Sequence, residues 1–361
     1  MSERIEVESD SHSYPVLLEN GLRYSFYHLL EDILPDHTKL MIIADETAAS
    51  YYLEDLLASF PDSAKPVVTI LPSGETSKSM VQYERLLTEC LQEGLDRKSV
   101  IAALGGGVAG DIAGFTAATY MRGIRYVQIP TTLLAHDSSV GGKTGINHPL
   151  GKNMIGAFHA PSAVLYDPEM LISLPEKEWR SGFAEVIKHA FISSPEFFVW
   201  LQNHVHKLSS VDPSTLEKML KKSIETKVAV VQEDEREAGV RAHLNFGHTL
   251  GHAIEAELGY GKTTHGEAVA VGMIFAMRLS EKFYGIKLPI EETVKYLEKL
   301  GYYLKLQKQV NAEKLLFIMK RDKKASGGSM RFVLLPELGR AELVDIREEM
   351  VLDLLEEEEL T

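Results

Sequence analysis

The segment SVIAALGGGVAGD, residues 99–111, joins an apolar run to a glycine-rich turn. The run Ser99–Leu104 is typical of a buried strand, and a helix is predicted from Asp111 to Tyr120. The turn between them formally matches GxGxxG, in which glycines let the backbone approach a pyrophosphate resting on a helix N-terminus. The segment therefore predicts a strand–turn–helix unit that binds a dinucleotide. A glycine-rich turn without a ligand is the alternative.

The chain before this segment alternates strands with helices. The run KLMIIAD, residues 39–45, predicts a buried strand, and residues 46–60 have helical periodicity. A second strand is predicted at Val67–Leu71, followed by a helix at Ser79–Glu93 with Gly94 as its C-cap. Such alternation favours parallel pairing through right-handed crossovers. We therefore predict an α/β fold with a Rossmann-like doubly wound parallel sheet, preceded by edge strands or a hairpin within residues 1–38.

The acidic residue that usually binds the ribose is missing from its expected place. It should lie about 20 residues after the glycines, where the next strand instead ends in Val127-Gln128-Ile129-Pro130. Asp45, at the end of an earlier strand, is the substitute that the sequence offers. Asp45 precedes the glycine-rich turn, whereas the ribose-binding acid of the ordinary Rossmann arrangement follows it.

Residues 129–161 are dense in Gly, Ser, Thr and Asn but poor in surface charge, so they do not read as a disordered linker. Asp137 and Asn153 stand out in this segment. Lys143 and Lys152 lie among glycines and apolar residues, which favours binding of a phosphate or carboxylate.

From about Leu174 the pattern becomes mainly helical, apart from a predicted strand pair at 331–335 and 341–344. We predict an α/β domain at 1–173 and a mainly α-helical metal- and substrate-binding domain at 174–361. In the predicted helix Trp179–Ile192, Glu185 is surrounded by apolar residues. A buried acid of this kind needs an ion pair, such as Lys188 at i+3, or a metal.

Three of the thirteen histidines lie in LNFGHTLGHAIEAELGYGKTTHGEAVAVGM, residues 244–273. His248 and His252 are one helical turn apart, and His265 heads a second apolar run. Three glycine-flanked imidazoles between apolar helices favour a divalent metal site. The HExxH pattern is absent, which disfavours a zinc protease.

Composition limits the function classes. The chain has 361 residues, 45% hydrophobic and 25% charged, with a formal net charge of −14. The negative charge argues against a nucleic-acid partner, and the single cysteine excludes an internal disulfide. The N-terminus carries no signal-peptide pattern, and no apolar run approaches the roughly 20 residues that span a bilayer. We expect a soluble, cytoplasmic enzyme without a membrane partner.

Eight motifs between residues 73 and 273 resemble those of the 3-dehydroquinate synthase family, within the sugar-phosphate cyclase superfamily. In order they are SGETSKS, GGGVAGD, YMRG, IPTTLLAHDSSVGGKTGINH, GKNMIGAFHAP, GFAEVIKHA, LNFGHTLGHAIE and HGEAVAVGM. The resemblance implies a nucleotide-binding α/β domain and a helical domain, with NAD and a divalent metal as cofactors. Zn²⁺ is the expected metal and Co²⁺ the second candidate. We also expect a homodimer.

The resemblance also implies residue roles. The metal ligands correspond to Glu185, His248 and His265, and His252 corresponds to a residue that faces the substrate. The NAD set corresponds to Asp45, Glu75, Lys78, Gly106, Gly107, Asp111, Thr131, Thr132, Lys143 and Lys152. The substrate set corresponds to Arg122, Asn153, Lys143, Lys188, Lys227, Arg241, Asn245, His252 and one of Lys323 and Lys324. The residues implied for catalysis are Asp137, Lys143, Lys188, Asn245 and His252.

The implied reaction belongs to the shikimate pathway of aromatic amino acid biosynthesis. It converts 3-deoxy-D-arabino-heptulosonate 7-phosphate, an anionic sugar phosphate, to 3-dehydroquinate and phosphate. Transient oxidation by NAD is followed by phosphate elimination, reduction, ring opening and an intramolecular aldol. The alternatives are a sister sugar-phosphate cyclase and a metal-dependent alcohol or glycerol dehydrogenase of the same fold.

Overall fold

The computed structural model describes residues 3–259, 262–306, 310–322 and 329–359. Its N-terminal elements are β1 Glu3–Val7, β2 Tyr14–Leu18, α1 Phe26–Ile33, β3 Leu40–Asp45, α2 Glu46–Ala58, β4 Val67–Leu71, α3 Met80–Gln92, β5 Val100–Gly105, α4 Gly107–Thr119, β6 Arg125–Pro130, α5 Ala135–Ser138, β7 Lys143–His148, β8 Gly151–Phe158 and β9 Ala163–Tyr166. The later elements are α6 Glu176–Ser193, α7 Pro195–His204, α8 Pro213–Glu233, α9 His248–Leu258, α10 His265–Tyr284, α11 Ile290–Lys299, α12 Ala312–Asp322, β10 Ser329–Glu337, β11 Arg340–Arg347 and α13 Glu348–Glu359.

A seven-stranded sheet organises the N-terminal part in the order β1-β2-β9-β6-β5-β3-β4. Only β1 and β2 pair antiparallel, and the remaining pairs are parallel. The carboxyl ends of β3 and β5 therefore lie side by side, with Ala44 opposite Leu104. This confirms the predicted parallel sheet and the hairpin at the start of the chain.

Both faces of the sheet are buried, because successive side chains of a strand point to opposite faces. Ile42 and Ala102 pack with α1 and α2 in one apolar cluster. Met41 and Ile101 pack with α3 and α4 in a second cluster on the other face. Continuous apolar strands such as β3 are thus explained by two helical layers.

One local prediction was wrong. Helix α4 begins at Gly107 rather than Asp111, so two of the glycines form its N-cap and first residue. Residues 143–158, for which the sequence analysis predicted no strand, form an antiparallel hairpin of β7 and β8. Gly145 and Gly156 are direct cross-strand partners in this hairpin. A Cβ on either would lie 2.6 Å or less from a backbone oxygen.

The chain forms two compact units by its internal contacts. One comprises residues 1–174 and 216–236, and the other comprises 175–215 and 237–361. The second unit is mainly helical and contains the β10–β11 hairpin, which confirms the predicted strand pair. Its core includes Leu250 of α9, Phe275 of α10 and Phe332 of β10. The domain boundary at 173/174 stays a prediction.

Among the helices within the described ranges, none is both long and apolar enough to cross a lipid bilayer.

Candidate metal centre and dinucleotide-binding turn

Three helices of the C-terminal unit bring Glu185, His248 and His265 together. Glu185 lies on α6 and is 1% exposed. The two histidines are the first residues of α9 and α10. Each places its Nε2 3.6 Å from Glu185 Oε1. One ligand atom from each residue lies within 4.8 Å of the others. The residue pattern predicted the helices, whereas the grouping of these three residues was implied only by the family resemblance.

Glycines allow these helices to approach so closely. A Cβ on Gly266, beside the ligand His265, would lie 1.9 Å from the Ser181 carbonyl oxygen of α6. A Cβ on Gly272 of α10 would lie 1.9 Å from the carbonyl oxygen of Gly247, just before α9. Gly247 itself has a φ of +80°, which favours glycine. Close packing at these glycines fixes the relative positions of the three ligands.

The two histidines present the same ring nitrogen to Glu185. His248 Nδ1 lies 3.1 Å from the Phe246 carbonyl oxygen. His265 Nδ1 lies 2.9 Å from Glu255 Oε2. Since both partners are acceptors, Nδ1 carries the proton in the neutral form of each ring, and Nε2 is then the electron-pair donor. Both Nε2 atoms face Glu185.

Electrostatics differ between the two rings. Burial lowers the pKa of His248 well below its ordinary value, which keeps this imidazole neutral. Burial also lowers the pKa of His265, but hydrogen bonds to Glu185 and Glu255 outweigh it and raise the pKa to about 9. Glu185 also forms an ion pair with the buried Lys188. The ion pair that the sequence suggested for Glu185 is therefore present, and its assignment as a metal ligand stays a prediction.

The donor set fits a zinc-type ion. Two histidines and one glutamate form a known ligand set of catalytic zinc sites, with ligands about 2.0–2.2 Å from the metal. Tetrahedral ligands at that distance lie roughly 3.4 Å apart, close to the 3.6 Å separations from Glu185 to each histidine. A second group, His252, Glu255 and His265, shares one histidine with the first. His252 is exposed on α9, unlike His248.

In the N-terminal unit, Lys78 is the centre of a polar cluster. Its side chain is 4% exposed, and its Nζ lies 2.6 Å from Asp111 Oδ2. It also donates to Asn153 Oδ1. Burial raises the pKa of Asp111, and Lys78 opposes that shift. Asn153 adopts a left-handed φ of +56°, which asparagine tolerates better than most residues.

Glu75 links further members of this cluster. It lies 3.8 Å from Lys152 Nζ and accepts a hydrogen bond of 2.8 Å from Asn147 Nδ2. The Asn147 amide nitrogen donates to the Lys78 carbonyl oxygen. The structure thus brings together residues from three separate segments of the chain, namely Glu75 and Lys78, Asp111, and Lys152 and Asn153.

The glycine run is required by packing. A Cβ on Gly106 would lie 2.9 Å from Thr132 Cγ2, and one on Gly107 would lie 3.0 Å from Ser138 Oγ. The Thr131 amide nitrogen donates to the Gly105 carbonyl oxygen beside this turn. These contacts explain the glycines without a ligand, so the motif alone does not establish nucleotide binding.

Asp45 has a structural contact at the neighbouring strand end. It is the N-cap of α2, and its carboxylate accepts hydrogen bonds from the amides of Thr47 and Ala48 and from Ser73 Oγ. A Cβ on Gly105 would lie 3.0 Å from Asp45 Cβ, so this acid borders the glycine turn. Its assignment to the ribose stays a prediction.

Asp137 forms an ion pair with Lys227 in the same unit. Lys227 Nζ lies 2.9 Å from Asp137 Oδ2 and also donates to the Asp137 carbonyl oxygen. One turn earlier on α8, Ser223 Oγ lies 2.8 Å from Nε2 of the buried His136. Helix α8 therefore holds residues 136 and 137 in place.

The other predicted substrate residues occupy separate settings. Lys143 begins β7 and is exposed, and Arg122 is exposed with a φ of +68°. In the C-terminal unit, Arg241 is 2% exposed. Asn245 Nδ2 donates to Glu237 Oε1 at 2.7 Å. Lys323 and Lys324 lie outside the described residues, and the remaining substrate assignments stay predictions.

Sequence reasoning missed Glu237 and Glu255. Glu237 holds Asn245, and Glu255 holds His265. Glu255 had a recognisable signal, because it lies seven residues after His248 and therefore on the same helical face. Glu237 lies in a non-helical segment with a φ of +59°, where spacing gives no such signal.

Solved structures with the same fold define the class. A 2-deoxy-scyllo-inosose synthase, complexed with carbaglucose-6-phosphate, NAD+ and Co2+, matches with a TM-score of 0.87 at 23% identity, over 99% of this chain and 100% of that one. A 2-epi-5-epi-valiolone synthase from Streptomyces hygroscopicus with NAD+ and Zn2+ bound matches at 0.86 and 25%, over 98% and 99% of the chains. A probable glycerol dehydrogenase from Sinorhizobium meliloti is more distant, at 0.67 and 15%, over 96% of each chain. The fold is that of the sugar-phosphate cyclases.

Sequence comparison narrows this class. Residues 68–181 match the 3-dehydroquinate synthase N-terminal profile, and residues 182–325 match the C-terminal profile. The 3-dehydroquinate synthase of Halalkalibacterium halodurans is 51% identical over 360 residues, covering 99% of both chains. That of Geobacillus kaustophilus is 52% identical over 353 residues, covering 97% of this chain and 96% of the relative. The chain belongs to the 3-dehydroquinate synthase family.

Proposed function

We propose that this protein is a carbon–oxygen lyase that converts 3-deoxy-D-arabino-heptulosonate 7-phosphate to 3-dehydroquinate and phosphate in the cytoplasm. The observation that carries the proposal is the cluster of Glu185, His248 and His265, in which each histidine Nε2 lies 3.6 Å from Glu185 Oε1. Full-length relatives named 3-dehydroquinate synthase support it. A homodimer is part of the proposal.

The proposed cofactors have separate sites. Glu185, His248 and His265 would hold Zn²⁺, and Co²⁺ is the alternative ion. The NAD set in the other unit comprises Asp45, Glu75, Lys78, Gly106, Gly107, Asp111, Thr131, Thr132, Lys143 and Lys152. When bound, NAD supplies a reversible hydride acceptor, and the metal supplies a Lewis acid that polarises the reacting oxygen.

The chain's own residues bind and orient the substrate. Its phosphate and carboxylate need cationic partners, which we assign to Arg122, Lys143, Lys188, Lys227 and Arg241. Asn245 would bind the carboxylate beside Arg241, and Asn153 and His252 would fix hydroxyl groups or move protons. The ion pair between Lys227 and Asp137 holds both side chains in one orientation before substrate binds. Much of the rate enhancement would come from such positioning.

Incubation with the heptulosonate phosphate tests this proposal directly. Metal-loaded protein with catalytic amounts of NAD should release phosphate and form 3-dehydroquinate in equal amounts, without net NADH. Failure to release phosphate would contradict the proposed reaction. One NADH per substrate consumed would instead identify a dehydrogenase, the class of the more distant structural neighbours.

A sister cyclase is the second candidate, since both of the more similar solved structures carry such names. Sedoheptulose 7-phosphate lacks the carboxylate that we assign to Arg241 and Asn245. Turnover of this substrate at a rate equal to or above that of the heptulosonate phosphate would favour the sister cyclase.

A further inference from the structure

Glu255 lies next to the proposed metal cluster without belonging to the predicted ligand set. It is on α9, seven residues after His248, and is only 5% exposed. Its Oε2 accepts a hydrogen bond of 2.9 Å from His265 Nδ1. An ionised carboxylate is costly to bury unless it is paired, so this contact accounts for an acid in a helix that otherwise packs into the core.

The hydrogen bond determines which ring nitrogen of His265 can bind a metal. With Nδ1–H donated to Glu255, Nε2 carries the free electron pair and faces Glu185 Oε1 at 3.6 Å. The Phe246 carbonyl oxygen orients His248 in the same manner. Outer partners of this kind fix ring orientation and the tautomer of metal-binding histidines.

Two overlapping ligand groups compete for His265. One contains Glu185 and His248, and the other contains His252 and Glu255. Glu255 accepts a hydrogen bond from His265 Nδ1–H. While it does so, Glu255 and His265 Nδ1 cannot both be ligands of one metal ion. The exposed His252 would also have to contribute to the second group, whereas Glu185 and His248 are buried.

We propose that Glu255 is a positioning residue that holds His265 Nε2 toward Glu185 and His248, and so selects this ligand group over the overlapping one. The proposal depends on the metal site of the proposed function and not on the identity of the substrate.

Metal titration of the full chain tests this role, with Zn²⁺ alone as the probe. Glu255→Gln keeps an acceptor oxygen but loses the charge, and Glu255→Ala loses both. We expect zinc to bind about 10-fold more weakly to Glu255→Gln and about 100-fold more weakly to Glu255→Ala, the range for losing outer partners of metal ligands. Both variants should still bind one zinc at saturation. The control Glu257→Gln, on the same helix and paired with Lys314, should bind zinc as the unmodified protein does.

A second readout separates positioning from fold stability and from direct ligation. The metal-free Glu255→Gln protein should unfold in one cooperative transition, as metal-free Glu257→Gln does. Its cobalt complex should keep the ligand-field absorption of the unmodified protein, because the same three residues coordinate. An unchanged zinc affinity in both Glu255 variants would overturn the positioning role. A changed ligand-field absorption of the cobalt-saturated Glu255→Gln protein would make Glu255 a ligand. Absence of zinc binding by the unmodified protein would instead refute the metal site of the proposed function.

Discussion

A Cβ atom on Gly266 would lie 1.9 Å from the Ser181 carbonyl oxygen. This distance is far shorter than any real contact, so α10 can approach α6 this closely only with glycine at position 266. Glu185 is four residues beyond Ser181, and His265 directly precedes the glycine. The close contact of two backbones therefore sets the separation of two proposed metal ligands.

We predict that Gly266→Ala loses both stability and metal. Because the obstacle is backbone, the helices must move apart, at a cost of about 3 kcal/mol, the upper end for overpacked cores. Thermal unfolding of the metal-free protein and zinc titration measure the two effects. Gly285→Ala is the control for an added Cβ without a collision, since no atom lies within 4 Å there and only its left-handed φ of +67° opposes the substitution. It should cost about 1 kcal/mol and leave zinc binding intact. Equal behaviour of the two variants would contradict the role of the close contact.

The sequence predicted those strands and helices whose residue pattern has one dominant physical cause. The apolar runs of β3 and β5 were visible because burial imposes them. The hairpin of β7 and β8 was not predicted, because its glycines interrupt the alternation that identifies a strand. Gly145 and Gly156 are glycines because a side chain at either position would collide with the backbone of the partner strand. The sequence alone does not distinguish a glycine required by such packing from a glycine in a turn.

The candidate metal site, like the fold, was predicted only in part from the sequence. The residue pattern singled out His248, His252 and His265, but the structure brings Glu185 and His265 to His248 through packing between distant helices. Such convergence depends on tertiary contacts that local periodicity does not contain. The family resemblance supplied this grouping, because the family's motifs contain the residues that this packing brings together.

We next predict that Lys78→Met weakens NAD binding and destabilises the N-terminal unit. Lys78 compensates the charge of the partly buried Asp111 at 2.6 Å. Its loss should cost about 2 kcal/mol, below the range for fully buried pairs. Burial already raises the pKa of Asp111, so the destabilisation should grow as pH rises and this carboxyl ionises. Equilibrium unfolding at pH 5 and pH 8 measures this trend.

The double variant Lys78→Met/Asp111→Asn is the matched control for this prediction. Removing the Asp111 charge together with Lys78 should recover most of the stability that Lys78→Met loses, but it should not recover the NAD affinity. A double variant as unstable as Lys78→Met would show that the ion pair is not the cause.

Metal affinity should depend on pH through one proton. In the metal-free protein the pKa of His265 is raised to about 9, so this ring is protonated at neutral pH. The hydrogen bonds of protonated His265 to Glu185 and Glu255 stabilise the folded, metal-free protein. This stabilisation is fully present below pH 6.5 and is lost as pH rises through about 9. Zinc must displace this proton, whereas His248 is already neutral. Zinc affinity should therefore rise about tenfold per pH unit from 6.5 to 8.5. Competition with a chelator of known proton affinity measures this slope, and a flat profile would contradict it.

The last prediction separates His248 from His252, which spacing treats alike. Removing a ligand opens the metal shell, whereas removing a substrate contact leaves the shell complete. His248 is buried with Nε2 toward Glu185, and His252 is exposed one turn later. His252→Ala should therefore retain one zinc and bind NAD normally, while turnover falls by roughly 10²-fold, typical of losing a proton-transfer or charge-stabilising group. His248→Ala should bind zinc poorly, and added zinc should restore only part of its activity. Metal analysis of both purified variants against metal-free protein decides between them, because a zinc-free His252→Ala beside a loaded His248→Ala would reverse the assignment.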